Sequence, residues 1–129
     1  MSETKQDKKI VAVLDDLFFS SKIREAAKSL DLNLEITKNT TGLIEKLESQ
    51  KPSLLIFDLN CKVCSPLEII ENLKSSSALK DVPTLGYLSH VQTDLKEQAT
   101  KAGCDLVLPR SKFSKDLREI LTKYSTPGG

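Results

Sequence analysis

Short apolar runs alternate with longer amphipathic segments along the 129 residues of the chain. Residues 10–14 and 54–57 are uninterrupted apolar runs, typical of strands buried on both faces of a sheet. Leu32, Leu34 and Ile36 alternate with polar residues, as expected for a half-exposed strand. Further apolar runs follow near the C-terminal half of the chain. The pattern therefore predicts five strands, the last two over residues 84–88 and 106–108.

Apolar residues recur at helical spacing between these strands, which predicts five helices. The first helix is expected to bury one apolar stripe, and the last helix another. Phe18 and Phe19 begin the first helix and are expected to lie in the core, with a partner surface as the alternative. The stripes of these two helices consist of Leu17, Ile23, Ala26, Ala27 and Leu30, and of Leu117, Ile120, Leu121 and Tyr124.

Polar residues before three of the helices predict where each helix begins. Thr40 or Thr41 is expected to cap the second helix. Ser65, Pro66 and Glu68 have the order of an N-cap, a first-turn proline and a capping box. The fourth helix is expected to use a capping box of its own, formed by Asp94 and Glu97.

Strands that alternate with helices form a parallel sheet covered by helices on both faces. The amphipathic second strand belongs at an edge, which predicts the order 2-1-3-4-5. The predicted fold class is α/β, a three-layer αβα sandwich of flavodoxin-like topology. Its ligand crevice is expected beyond the carboxyl ends of strands 1 and 3, where the strand order reverses.

Nineteen basic and 18 acidic residues leave a net charge of +1, which argues against nucleic acid as the main partner. No apolar run approaches the length needed to cross a membrane, and the polar N-terminus lacks a signal peptide. We therefore expect a cytoplasmic protein with three reduced cysteines. One domain is expected over residues 9–124, between disordered tails at 1–8 and 125–129.

Three carboxylates follow the two strands at the predicted switch point. Asp15 and Asp16 come after strand 1, and Asp58 comes after strand 3. Together they would repel one another unless a cation such as Mg²⁺ joined them. Arg110 after strand 5 adds a fixed positive charge, so the crevice suits a phosphoryl group, with Asp58 as the nucleophile. The alternative for an acid after a strand is a simple turn residue.

The order of these motifs resembles the receiver domain of two-component response regulators over nearly the whole chain. The resemblance is carried by the acidic pair, by residues 57–60 (FDLN), and by residues 102–105 and 108–110 near strand 5. It implies that Asp58 accepts a phosphoryl group from a histidine kinase or another phosphorelay protein. Asp15, Asp16, Asp58 and the Asn60 carbonyl would hold Mg²⁺. The resemblance also implies docking or homodimerisation through helix 4, strand 5 and helix 5, and no enzymatic activity beyond self-phosphorylation and dephosphorylation.

Several positions depart from the pattern of that family. Leu88 stands where a Ser or Thr is expected, and Ser89 is not expected to replace it because strand alternation turns its side chain elsewhere. Val107 stands where an aromatic switch residue is expected, and Arg110 replaces a Lys. Two functions therefore remain open. One is phosphorylation with an altered switch, and the other is a pseudo-receiver that binds a partner without phosphate chemistry.

The cysteines suggest further alternatives. Cys61 and Cys64 have the CxxC spacing of a redox pair. Together with His90 and Cys104 they also provide four residue types that bind zinc, although Cys104 is expected at the opposite end of the sheet. The simplest interpretation is that these thiols pack in the core and in the loop, and that His90 lies in a solvent-facing loop.

Overall fold

The computed structural model describes residues 9–89 and 92–125, which form five strands and six helices. The strands are β1 (Lys9–Val13), β2 (Asn33–Thr37), β3 (Leu54–Asp58), β4 (Thr84–Leu88) and β5 (Leu106–Pro109). The helices are α1 (Leu17–Ser29), α2 (Leu43–Gln50), α3 (Pro66–Lys74), α4 (Thr93–Ala102), α5 (Arg110–Lys115) and α6 (Leu117–Ser125). The predicted tails cover residues 1–8 and 125–129. Ser125 is instead the last residue of α6, and residues 1–8 and 126–129 lie outside the described residues.

All five strands are parallel, and their order is β2-β1-β3-β4-β5. Both the α/β class and the predicted order are therefore confirmed. β3 is buried along its whole length, whereas β2 at the edge keeps partial exposure. In the pairing, Val13 of β1 lies beside Phe57, and Tyr87 of β4 lies beside Asp58. This register brings the ends of β1, β3 and β4 to one edge of the sheet.

The sheet separates two layers of buried side chains, because successive strand residues point to opposite faces. Val11, Leu55 and Phe57 pack with α2, α3 and α4 on one face. Ile10 and Ile56 pack with α1, α5 and α6 on the other face. This division confirms the predicted three-layer sandwich. Within the described residues, no helix has the length and apolar character needed to span a membrane.

The helix count differs from the predicted five, because the segment after β5 forms two helices. α5 begins at Arg110 and ends before Asp116, where the backbone leaves helical geometry at φ −98° and ψ 12°. Lys112 donates to the Asp116 carboxylate at 2.7 Å across this end. The helical spacing of Leu117 and Leu121 predicted α6 correctly, but Phe113 of α5 is buried as well. The sequence pattern did not predict α5, because a helix of six residues is too short to show a helical repeat of apolar positions.

The predicted caps of α2 and α4 are wrong, and the predicted start of α3 is confirmed except for its capping box. Gly42 is the N-cap of α2, at φ 68°, instead of either threonine before it. Ser65 is the N-cap of α3 and Pro66 follows at its first turn as predicted, but no side-chain cap bond forms there. Gln92 precedes α4, so Asp94 lies inside the helix instead of at its cap. The first residue of each helix is set by the loop before it, because that loop must connect the helix to the fixed end of the preceding strand.

The start of α1 divides three apolar residues between solvent and core. The Asp16 side chain accepts hydrogen bonds from the Phe18 and Phe19 amides, which sets where the helix begins. In this phase Leu17 is 83% exposed and Phe18 is 67% exposed, whereas Phe19 is buried. The prediction of a core position is therefore wrong for Leu17 and Phe18 and confirmed for Phe19.

Gly86 provides a test of the packing between β4 and the loop after β3. A Cβ atom at this position would lie 2.7 Å from Leu59 Cδ1. We expect Gly86→Ala to lower the free energy of unfolding by about 1–3 kcal/mol, because inserted atoms overpack the core. Urea denaturation measures this change. In a Leu59→Ala background the same substitution should cost less, and an equal loss in both backgrounds would contradict the predicted clash.

Candidate functional site

Asp58 is the last residue of β3 and lies between the ends of β1 and β4. Its side chain is almost buried, with 5% of the residue exposed. The Asn60 amide donates a hydrogen bond to Asp58 Oδ1 at 2.9 Å. The chain turns sharply here, because the Cys61 amide also donates to the Asp58 carbonyl at 3.0 Å. The carboxylate is therefore fixed by the loop that follows its own strand.

Within residues 9–89 and 92–125, Arg110 supplies the positive charge that pairs with this carboxylate. Its Nη2 atom lies 3.9 Å from Asp58 Oδ1. The guanidinium also lies over the Phe19 ring, 5.4 Å from the ring centre, and this contact helps to hold the side chain near Asp58. Its Nε atom is buried without a hydrogen-bond partner within the described residues. Arg110 therefore places Nη2 near the acid, whereas its unpartnered Nε is enclosed by the protein.

The two acids after β1 have different surroundings. Asp16 caps α1, and its negative charge adds a small contribution to the pKa of the Asp58 carboxyl, which burial chiefly raises. Asp15 is exposed, and its Oδ1 lies 3.4 Å from Lys38 Nζ beyond the end of β2. The structure therefore brings Asp16, Asp58 and Arg110 into one electrostatic environment, and it pairs Asp15 with a surface lysine.

Burial is the main reason that the pKa of Asp58 is raised above its usual value. The hydrogen bond from Asn60 and the charge of Arg110 lower the pKa, whereas the charge of Asp16 raises it. The effects of burial and Asp16 are larger than those of Asn60 and Arg110, so the net change is a raised pKa. The carboxylate of Asp58 is therefore held at an energetic cost that a further cation would reduce.

The donors around Asp58 fit a hard divalent cation in type. Carboxylate oxygens lie at Asp16 and Asp58, and the Asn60 carbonyl accepts no hydrogen bond from any described residue. Oxygen donors of this kind are the ligands that Mg²⁺ prefers. Among residues 9–89 and 92–125, no group of three His, Cys, Asp or Glu side chains is arranged to hold a metal ion. Asp15 could therefore join the predicted Mg²⁺ ligands only if its side chain first released Lys38.

Asn60 connects the acid to the loop between β4 and α4. Its Oδ1 accepts hydrogen bonds from the Ser89 amide at 2.8 Å and from Ser89 Oγ at 3.2 Å. Its Nδ2 donates to Gln92 Oε1 at 2.8 Å, and the same oxygen accepts from the Ser89 amide. The Ser89 hydroxyl is bonded to Asn60 instead of Asp58. A continuous set of hydrogen bonds thus runs from the acid to the start of α4.

Leu88 and Val107 lie behind this loop. Leu88 is buried at the end of β4 and packs in the same cluster as Leu59 and Ala99. Val107 is half-buried on β5 and packs against that cluster. A cavity of about 250 Å³ lies at this place and is bordered by both residues, by Gln92 and by Lys96. Neither side chain carries a hydroxyl or an aromatic ring, so the changed residues leave the space beside α4 unfilled.

Tyr87 is a residue near the site that the sequence pattern did not indicate. Its ring stacks between Phe19 and Phe113, with ring centres 5.0 and 4.6 Å away. Its buried hydroxyl has no hydrogen-bond partner among the described residues. Burial raises the pKa of this hydroxyl, and the charges of Asp58 and Asp16 raise it further. The only signal in the sequence was a tyrosine placed in an otherwise apolar strand.

Cys61 and Cys64 form a disulfide in the loop between β3 and α3, with their Cα atoms 5.4 Å apart. The prediction that all three cysteines are reduced is therefore wrong for this pair. Cys104 is free and buried, and its Sγ contacts the Thr84 carbonyl at the start of β4. It lies at the opposite end of the sheet, which argues against the zinc alternative. His90, its fourth member, lies outside the described residues.

Solved structures provide the comparison for this fold. A response regulator from Hahella chejuensis is similar at a TM-score of 0.82 and 20% identity, over 95% of this chain and 98% of that one. The receiver domain of a sensor histidine kinase from Pseudomonas aeruginosa is similar at 0.77 and 16% identity, over 92% and 97%. The chain has the fold of a response-regulator receiver domain. No protein-family model matches its sequence, and no curated protein does either.

The raised pKa of Asp58 in this receiver fold predicts how stability depends on pH. The native state holds the proton more tightly than the unfolded state, whose carboxyl has the usual pKa of 3.8. The resulting stabilisation is complete below that pKa and is lost as the pH rises through the raised native pKa. Asn cannot ionise, so Asp58→Asn should be more stable than wild type at about pH 7 and lose this advantage near about pH 3.

Chemical denaturation of both proteins across this pH range measures the difference. Asp15→Asn is the matched control and should follow the wild-type curve, because an exposed ion pair contributes little to stability. An Asp58→Asn protein less stable than wild type at neutral pH would contradict the expected direction.

Tyr87→Phe tests the unpartnered hydroxyl. We expect it to raise the free energy of unfolding by about 1 kcal/mol, because it removes a buried polar atom that lacks a hydrogen bond. Thermal and urea unfolding measure the change, and Tyr124→Phe on α6 is the half-buried control. A destabilised Tyr87→Phe protein would show that the hydroxyl has a partner in solution.

Proposed function

We propose that this chain is a signalling receiver that accepts a phosphoryl group on Asp58. The observation that carries the proposal is a buried carboxylate at the end of the central strand, flanked by Asp16 and Arg110, in a receiver fold. Structures of this fold include a cyanobacterial phytochrome response regulator in its phosphorylated form. The P. aeruginosa receiver holds a magnesium ion in its active-site cleft. These neighbours support the same chemistry here.

The residues around Asp58 define the roles in the transfer. Asp58 Oδ1 is bound by the Asn60 amide, whereas Oδ2 accepts no hydrogen bond from a described residue and is the oxygen proposed to attack phosphorus. The new O–P bond forms as the P–N bond of a phosphohistidine breaks. Arg110 Nη2 lies 3.9 Å from Asp58 Oδ1, and this partly exposed guanidinium would bind the phosphoryl oxygens. The burial of Asp58 limits access of water to the reacting oxygen.

A divalent cation completes this proposal. When bound, Mg²⁺ would neutralise the repulsion among the carboxylates and the phosphoryl oxygens. Asp16, Asp58 and the Asn60 carbonyl are the residues proposed to hold it. Asp15 would join them after releasing Lys38, and an exposed ion pair of this kind is weak enough to exchange.

The proposed partners follow from the same fold. A histidine kinase or another phosphorelay protein in the cytoplasm would donate the phosphoryl group. The face of α4, β5 and α6, the last of which is the fifth helix of the sequence prediction, would serve for docking or homodimerisation. Leu88 and Val107 cannot make the usual hydroxyl and aromatic movements. Asn60 instead holds the loop before α4 through Ser89. We propose that phosphorylation is communicated through this residue, and that the chain performs no other catalysis.

A second candidate function is a phosphorylation-independent interaction module. The packing of Leu88 in the core favours it, because no hydroxyl at that position can follow a phosphoryl group. A purified partner that binds wild type and Asp58→Ala with equal affinity would favour this second function. Loss of binding in Asp58→Ala would favour the first.

Acetyl phosphate with Mg²⁺ tests the leading proposal. We expect the intact protein to gain the mass of one phosphoryl group, and the Asp58→Asn variant to gain none. Arg110→Ala should slow the gain by about 100-fold, because it removes a donor to the transferred group. Arg110→Lys retains the charge and should be affected less. Mass spectrometry over time measures all four proteins.

Beryllofluoride with Mg²⁺ gives a second measurement that needs no phosphate donor. The backbone amides of Asn60 and Ser89 should shift on binding, because hydrogen bonds connect both residues to Asp58. A protein that gains no phosphoryl mass and shows no shift at these amides would contradict the proposal. A mass gain that persists in Asp58→Asn would place the phosphoryl group elsewhere.

A further inference from the structure

We propose that Cys61 and Cys64 form a reversible oxidation site that controls the geometry of the phosphoacceptor loop. The two residues are joined by a disulfide immediately after β3, three and six positions beyond Asp58. The chemistry at this site is exchange between a dithiol and a disulfide, with a peroxide as oxidant and a small dithiol as reductant. Its effect on signalling rests on the proposed function, whereas the oxidation itself does not.

The loop that carries the disulfide is built directly on Asp58. The Cys61 amide donates to the Asp58 carbonyl at 3.0 Å, and the neighbouring Asn60 amide donates to Asp58 Oδ1 at 2.9 Å. Cys61 is therefore both a member of the disulfide and a member of the turn that positions the acid. A change in the covalent state of its sulfur acts on a residue only one position from Asn60.

The other end of the bridge controls the entrance to α3. Cys64 is completely buried, and Ser65 after it has φ 45°, in the left-handed region that residues other than glycine rarely adopt. The Ser65 amide donates only a long hydrogen bond, 3.3 Å, to the Lys62 carbonyl. The disulfide ties this strained position to the turn at Cys61. Its reduction leaves Ser65 with fewer restraints, so the loop can relax.

The Cys61–Cys64 disulfide can be approached by a small reagent from one side, where the residues between the two cysteines are exposed. Lys62 and Val63, enclosed between the two cysteines, are exposed, and Val63 keeps 64% of its surface. Cys61 keeps 7%, so a small reagent meets the bridge at this residue. Disulfides of cytoplasmic proteins are usually transient and redox-sensing. In the cytoplasmic receiver proposed above, a bridge beside Asp58 therefore agrees with a regulatory role more than with a structural one.

The reaction balances with these reagents. In oxidation, two thiols and one molecule of hydrogen peroxide give one disulfide and two molecules of water. The sulfur–sulfur bond forms, the peroxide oxygen–oxygen bond breaks, and both thiol protons end in water. In reduction, a dithiol attacks one sulfur, passes through a mixed disulfide and leaves as a cyclic disulfide, which restores both cysteine thiols. No metal or enzyme is needed for either direction.

The consequence lies at Asn60. Its carbonyl is a proposed ligand of Mg²⁺, and its side chain binds Ser89 and Gln92. The disulfide holds the loop in the geometry that makes these contacts. The oxidised form is therefore expected to bind Mg²⁺ more tightly than the reduced form. We expect reduction to weaken Mg²⁺ binding by roughly tenfold, the lower end of what groups orienting metal ligands contribute. The loop before α4 changes at the same time through Ser89.

The test uses the full chain in its peroxide-treated and dithiothreitol-treated forms. Alkylation after denaturation, followed by mass spectrometry, should label one cysteine in the first form and three in the second. Amide NMR should then show shifts at Asn60 and Ser89 between the two forms, without any metal. Titration with Mg²⁺ alone, followed by the same amides, gives the two affinities.

Two variants serve as matched controls. The double variant Cys61→Ser and Cys64→Ser should resemble the reduced form and show no response to peroxide. Cys104→Ala removes the free thiol at the opposite end of the sheet and should keep the full response of wild type. Thermal unfolding of each protein establishes that it is folded under the conditions of the titration.

The outcomes separate this inference from the proposed function. Three labelled cysteines after peroxide treatment would overturn the oxidation site, as would identical amide spectra of the two forms. Equal Mg²⁺ affinities would overturn the proposed control of the metal site and leave the proposed function intact. Shifts at Asn60 without Mg²⁺ binding in either form would support the oxidation site and contradict the proposed function.

Discussion

Parallel pairing of β3 between β1 and β4 is the constraint on which the site depends. All five residues of β3 are buried, so the strand is held by both neighbours and by helices on both faces. A strand restrained in this way cannot slip by one residue, because a slip would exchange its two buried faces. Asp58, the last residue of this strand, is therefore fixed at the edge of the packed interior with 5% of the residue exposed.

Burial of that carboxylate then determines the electrostatics around it. The pKa of Asp58 is raised chiefly because the group is removed from water, and Asp16 adds repulsion. The Asn60 amide and Arg110 compensate in part, from one side of the carboxylate. An arrangement of this kind is costly as a purely structural feature and favourable for binding a cation or a phosphoryl group. Its energetic cost thus favours a functional origin.

The connection from Asp58 to the rest of the molecule differs from a hydroxyl-based switch. Leu88 is fully engaged in the core, and Val107 leaves a cavity beside α4. Asn60 makes the connection through hydrogen bonds to Ser89 and Gln92. The loop that carries Asn60 also carries the disulfide, so the acid and the two bonded cysteines lie on one short segment that contacts the loop before α4. A chemical change at the Asp58 carboxylate or at the cysteine sulfurs would therefore alter the surroundings of the same residue, Asn60.

The strands and their order followed from hydrophobic patterns, because a strand buried on both faces must be apolar throughout and an edge strand need not be. The position of Asp58 at the end of β3 followed from the same rule. Helix starts did not follow, as Gly42 and Gln92 show, since local capping preferences of about 1 kcal/mol are weaker than the demands of loop closure and packing. Tyr87 also escaped notice, because only the stacking of distant rings brings its hydroxyl toward the acids.

The sequence by itself determined the α/β class, the sheet order and the edge at which the acids gather, because periodicity and strand burial are properties of local segments. Tertiary structure alone decided how the two acids after β1 are used, since Asp16 caps α1 and its charge acts on Asp58, whereas Asp15 pairs with Lys38. It also decided that Cys61 and Cys64 are bonded, because a sulfur bridge requires the turn after β3 to bring the two Cα atoms within 5.4 Å. These are distances between groups, and a pattern along the chain does not contain them.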